Sequence, residues 1–112
     1  MRRTGPALVI ALAIAGALPI TGRAEDIGAL IVLNDGAFTP SRLEVAAAGS
    51  VTIVLRNSGK QPAEFESRAL RKEILIPAGS ETTITLRSPA RGTFDFFDDF
   101  HPDAAKGVIV VK

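Results

Sequence analysis

The sequence predicts an all-β chain folded as a two-sheet sandwich of about seven strands. Apolar and β-branched runs of four to seven residues recur along it, each closed by a turn signal. No segment after the first two dozen residues holds a helical period long enough for a helix. One stretch, Thr93 to Asp103, gathers four of the six phenylalanines, four acids and the single histidine into eleven residues.

The N-terminus stands apart from this pattern. Arg2 and Arg3 precede an apolar run from Ala7 to Leu18, and Gly22-Arg23-Ala24 follows. This order reads as a secretory signal peptide over 1–24 with cleavage after Ala24, leaving a single domain over 25–112. The apolar run is 12 residues long, short of the roughly 20 a bilayer demands. Export to the periplasm is the expected localisation. Cleavage would remove three arginines, so 10 basic residues would face 12 acids in a domain with no basic stripe for nucleic acid. The absence of cysteine excludes disulfides, thiolate metal sites and a cysteine nucleophile.

Taken in order, the first strand is Ala29 to Leu33, because Asn34-Asp35-Gly36 closes it with residues that tolerate positive φ. A short piece around Phe38 leads past Pro40 into Arg42 to Val45. Ala48-Gly49 turns into Val51 to Arg56, where Val51, Ile53 and Leu55 share an inward face and Thr52 and Arg56 face out. Asn57 to Pro62 is a loop, and Ala63 to Ser67 resumes extended structure. Arg68, Arg71 and Lys72 follow as a basic patch expected on a single helical turn, a solvated face rather than a docking patch. Glu73 to Ile76 is the next strand, Pro77-Ala78-Gly79 turns it into Glu81 to Arg87, and Ser88 to Gly92 delivers the chain to the aromatic strand. Gly107 introduces the closing strand, Val108 to Val111.

Within the aromatic strand, period two puts Phe94, Phe96 and Asp98 on one side and Asp95, Phe97 and Asp99 on the other. Asp98 therefore follows two core aromatics inward. A buried carboxylate must be paired, and the local cation candidates are His101 or a bound metal. Serine hydrolysis lacks a Gly-x-Ser-x-Gly turn and a base beside a nucleophile, and no phosphate-cradling loop is present. Metal binding is the chemistry left. The candidate ligands are Glu64 and Glu66, two apart on one face, and Asp98, Asp99, His101 and Asp103 after the aromatic strand. Carboxylates with one imidazole suit an iron ion, Mn²⁺ or Cu²⁺ better than Cu⁺. The plain alternative is a set of solvated loop acids, with Glu64 and Glu66 pairing to Arg68, Arg71 or Lys72.

Three pieces of the chain resemble the cupredoxin-like domains of exported bacterial proteins: Phe38-Thr39-Pro40, Asn57 through Pro62-Ala63-Glu64-Phe65-Glu66, and Gly92 through Asp98 to Lys106-Gly107-Val108-Ile109-Val110-Val111. The resemblance implies a Greek-key β-sandwich. It also aligns Ala63 with the first copper histidine, Asp98 with the copper cysteine and Ala105 with the methionine, so a blue-copper electron carrier is excluded. More narrowly, Pro62 to Ser67, Leu70 to Glu73 and Phe96 to Asp103 look like the small periplasmic cupredoxin component of bacterial ferrous-iron permeases of the Ftr and Efe type, including the EfeO-type domain. That likeness implies an iron or copper ion as ligand. It also implies a membrane iron permease and other periplasmic uptake components as partners, and leaves a ferroxidase role open. Parity turns Glu64 and Glu66 away from Asp98, so either a bulge brings them together or the glutamates form a second site on the outer face. The competing expectation is a metal-free sandwich that serves as an interaction module.

Overall fold

Asp35 and Gly36 take φ of 45° and 96°, the pair of positive values that a two-residue hairpin turn of the right twist requires. They join β1 (Asp26–Asn34) to β2 (Ala37–Thr39), with Asn34 opposite Ala37. The computed structural model describes residues 26–104 and 106–112. The expected leader over 1–24 and Ala105 lie outside the described residues.

The chain continues through β3 (Arg42–Val45), β4 (Ser50–Asn57), β5 (Ala63–Ser67), β6 (Lys72–Ile76), β7 (Glu81–Arg87), β8 (Gly92–Asp98) and β9 (Gly107–Val111). Two sheets form, ordered β2-β1-β4-β7 and β3-β9-β8-β5-β6. The all-β sandwich is as expected. Its strands number nine among the described residues, beyond the expected seven or so, because the short segments β2 and β3 each find a ladder partner, β1 and β9. β1 pairs parallel with β4, and β3 parallel with β9, so strands distant in sequence lie side by side. The helical turn considered for 68–72 is not there. Residues 68–71 form a tight turn with Arg71 at φ 57°, Arg71 N–H donates to the Arg68 carbonyl at 3.2 Å, and Leu70 N–H donates to the buried Ser67 Oγ at 3.2 Å. Four residues between two strands leave no room for a helix and its caps. Among the described residues no helix is long and apolar enough to cross a membrane.

Period-two alternation builds the core. Val51, Ile53 and Leu55 of β4 are buried against Ile84 and Leu86 of β7 on one sheet, and face Phe65, Phe96 and Ile109 of the other. Phe96 stacks on Phe65 with ring centroids 4.9 Å apart and receives the edge of Phe38 at 4.8 Å. Gly107 is needed for this cluster: a Cβ there would lie 2.2 Å from the Phe96 ring. The aromatic cluster fixes the end of β8, and hence the place from which Asp98 and the loop beyond it start.

Candidate metal centre

Asp98 is the last residue of β8 and follows Phe94 and Phe96 inward, as the alternation requires; its side chain is 0% exposed. An ionised carboxylate at such a depth needs several partners. The fold supplies three. Oδ1 accepts from the backbone N–H of Glu64 and of Phe100, each at 3.0 Å, and Oδ2 lies 2.9 Å from His101 Nδ1. The same turn is closed by His101 N–H donating to the Asp98 carbonyl at 2.9 Å. Among the described residues no buried side-chain polar atom lacks a partner.

His101 is in turn held on its far side. Its Nε2 stands 3.2 Å from Gln61 Oε1, and its ring packs on the backbone at Gly36, where a Cβ would lie 3.2 Å from His101 Cβ and Cγ. An acceptor thus stands opposite each ring nitrogen. Both contacts are filled by the doubly protonated ring, or by the neutral ring with the Gln61 amide turned over. Gln61 reaches this position because its loop is pinned from inside. Asn57, 1% exposed, donates through Nδ2 to the carbonyls of Gln61 at 2.8 Å and Ile76 at 2.9 Å, and its Oδ1 accepts from Gly59 N–H at 2.9 Å. Asp35 Oδ1 accepts from the N–H groups of Lys60 and Gln61 at 3.1 and 3.2 Å.

Glu64 and Glu66 do not join this pair. β5 is regular, with Ala63, Phe65 and Ser67 buried, so the glutamates project from the opposite face and the bulge is not used. The outer-face alternative is the one that forms. Asp99, the first residue past β8, donates its N–H to the Glu64 carbonyl at 3.1 Å. One carboxylate oxygen each from Glu64, Glu66 and Asp99 then lies within 4.8 Å of the others. Glu73 of β6 stands directly across from Glu66 and adds a fourth acid. The nearest cation is Arg68, whose Nε is 3.7 Å from Glu66 Oε2; it is 84% exposed and its guanidinium lies 5.6 Å from the centre of the Phe97 ring. Among the described residues Arg71 and Lys72 form no ion pair with the glutamates. Asp103 is exposed in the following loop and stands outside both groups.

The electrostatics follow from this crowding. Partial burial, then the charge of Glu73, then a hydrogen bond and repulsion from Asp99 raise the carboxyl of Glu64 above its usual 4.5. Partial burial, Glu73 and Asp99 raise that of Glu66, with Arg68 opposing. Such a group prefers to share protons or a cation rather than carry three or four bare charges.

The six candidate ligands therefore split. Asp98 and His101 form a closed inner pair, Glu64, Glu66 and Asp99 an outer triad, and Asp103 neither. Sequence reasoning missed Gln61, Asn57 and Glu73. The available signal for Glu73 was hairpin register, since a four-residue connection that pairs Ser67 with Lys72 puts Glu66 and Glu73 opposite each other; for Asn57 it was an asparagine ending an otherwise apolar strand.

The comparisons agree with the architecture. A model of the cupredoxin-like domain matches residues 7–111. A curated relative, Uncharacterized protein RP394 of Rickettsia prowazekii (strain Madrid E), is 31% identical over 82 residues, which are 73% of this chain and 66% of the relative, so the chain spans about two thirds of that protein's length. Among solved structures, a novel purple cupredoxin from Nitrosopumilus maritimus superposes with a TM-score of 0.58 at 17% identity, covering 75% of this chain and 99% of the other. The metal-binding domain of the Cu(I)-exporting P-type ATPase CopA of Streptococcus pneumoniae D39, solved with Cu(I), gives 0.60 at 16% identity, covering 81% and 99%. At these identities the structural likeness is one of fold.

Proposed function

The chain belongs to the cupredoxin-like domain family, and from that premise we propose that it binds a hard metal cation, iron by donor type, on the outer face of β5 rather than at the copper position of its fold. The family implies copper, and the residues present do not fit a blue-copper centre. Its thiolate seat holds Asp98, whose oxygens are already bonded to two amides and an imidazole, and the adjacent position is the buried Ala63. The observation that carries the proposal is the convergence of Glu64, Glu66 and Asp99 within 4.8 Å. Three carboxylates are an oxygen donor set, suited to iron or Mn²⁺ and unsuited to Cu⁺. The inner pair then has a positioning role: Asp98 and His101 fix the turn from which Asp99 projects.

The physiological setting we propose is the periplasm, where the domain would hold iron for a membrane ferrous-iron permease. The likeness of Pro62 to Ser67 and Phe96 to Asp103 to the permease-associated components supports that reading. Carboxylates favour Fe³⁺ over Fe²⁺, so the site would hold the oxidised ion more tightly.

A direct test is an anaerobic calorimetric titration of the protein with Fe²⁺, run in parallel with Mn²⁺ and Cu²⁺. Saturable uptake at one site is expected, lost in Glu64→Gln/Glu66→Gln and kept in His101→Ala. Loss in His101→Ala with retention in the double variant would move the site to the inner pair. A second reading, a metal-free docking module, is favoured by the complete hydrogen bonding of Asp98; absence of saturable uptake with all three metals would establish it over the first.

A further inference from the structure

At the end of β8 away from Asp98, a cleft of about 470 Å³ opens between the two sheets. Phe94 lines it and sits four residues before Asp98, roughly 13 Å at the ~3.3 Å rise of a strand, so the cleft is separate from the Asp98–His101 pair, while Arg71 and Lys72 also border the hollow that Glu66 and Glu73 line. Its larger apolar lining residues are Leu70 from the turn between β5 and β6, Phe94 of β8, and Leu86 of β7 in the other sheet. Around these stand Arg71, Lys72 and Arg87. Among the described residues none of the three forms an ion pair, whereas Arg42, Arg56, Arg68 and Lys112 each do. Three cations without counterions around one apolar hollow repel each other, and an anion placed among them relieves that repulsion.

The backbone adds a second observation. Both loops that border the cleft hold a non-glycine residue in the left-handed region, Arg71 at φ 57° and Ser88 at φ 43°. Glycine is the unstrained choice at such positions. At Arg71 the side chain is one of the three cations.

We propose that this cleft is a binding site for a small amphipathic anion, with a carboxylate or phosphate head held by Arg71, Lys72 and Arg87 and an apolar body laid on Leu70, Leu86 and Phe94. The volume lies in the range of ligand pockets and the lining combines apolar surface with a few convergent charges. Arginine supplies the forked donors that such heads accept two at a time.

Amide chemical-shift titration of the full chain with octanoate tests this. The expected result is saturable shifts confined to residues 69–72 and 85–94, smaller with octyl phosphate only if the head prefers carboxylate. Acetate, which has the charge without the body, and octyltrimethylammonium, which has the body without the anion, should leave these amides in place. Arg71→Gln and Arg87→Gln, both at exposed positions, should each weaken octanoate by about tenfold. Shifts that are equal for the ammonium amphiphile, shifts that survive both variants, or no shifts with either anionic amphiphile would overturn the proposal. A response to an acidic peptide but not to octanoate would overturn it too, and assign the cleft to a protein partner.

Discussion

At the scale of single residues, Asp98 decides how the binding end is built. Its buried carboxylate is held by two backbone amides and an imidazole. Asp98→Ala would leave two amides and an imidazole facing a methyl group, and the expected loss is about 3–5 kcal/mol of unfolding free energy. Asp98→Asn retains one acceptor oxygen for the two amides and should lose only about 1–2 kcal/mol. Urea denaturation of both variants measures this; equal midpoints for Asp98→Ala and the parent would show that the carboxylate does not carry the network. The inward direction of Asp98 was legible because period two from Phe94 and Phe96 is a local rule. Its partners were only half legible: His101 is three residues away, but the Glu64 amide is 34 positions distant and comes beside it through the β5–β8 ladder.

At the scale of elements, β9 and β8 depend on one close approach. Gly107 faces Phe96 across the ladder, and the ring fills the space that any side chain would take. Gly107→Ala should therefore force the Phe65–Phe96–Phe38 cluster apart and lower stability by about 1–3 kcal/mol, with weakened ring-current shifts in the aromatic protons as the companion signal. Unchanged stability and spectra would mean that the cluster has slack. Most elements were legible because each apolar run ended at Gly, Pro, Asn or Asp, and the Asn34-Asp35-Gly36 turn folded as its residues demand. The turn after Ser67 was not legible. Arg71 in a left-handed conformation has no local signature, and only the ladder between β5 and β6, closed at Ser67 and Lys72, imposes it.

Across the whole molecule, charge is sorted. Acids gather on the outer face of β5 and β6, and Arg71, Lys72 and Arg87 line the cleft that begins beside them. The acid face has a consequence for stability against pH. Glu64 and Glu66 are raised above 4.5 in the folded protein, so there the native state holds protons that the unfolded chain releases. The stability that these two groups contribute should thus be greatest near and below the ordinary carboxylate range and fall as pH rises through the raised values, against the opposite contribution of Glu44, which Lys112 and Arg42 lower. A series of urea midpoints from acid to neutral pH should show this decline in the metal-free protein, and Glu64→Gln/Glu66→Gln should flatten it. A rise in that window, with the double variant unchanged, would mean that the two glutamates carry no excess protons. Grouping of Glu64 with Asp99 and Glu73 could not be read from sequence, since three strands must be in register before the acids meet.

The placement of β9 sets the order in which this domain can assemble. The strand is interior to its sheet, with β8 on one side and β3 on the other, and β3 has no other neighbour in the sheet. Residues 42–45 must wait for residues 108–111 before they acquire a partner, so the β3 edge of that sheet stays open until β9 is made. Closure across so long a loop is slow. Until β9 docks, β3 lacks a ladder and the edge of β8 that faces β9 lies bare.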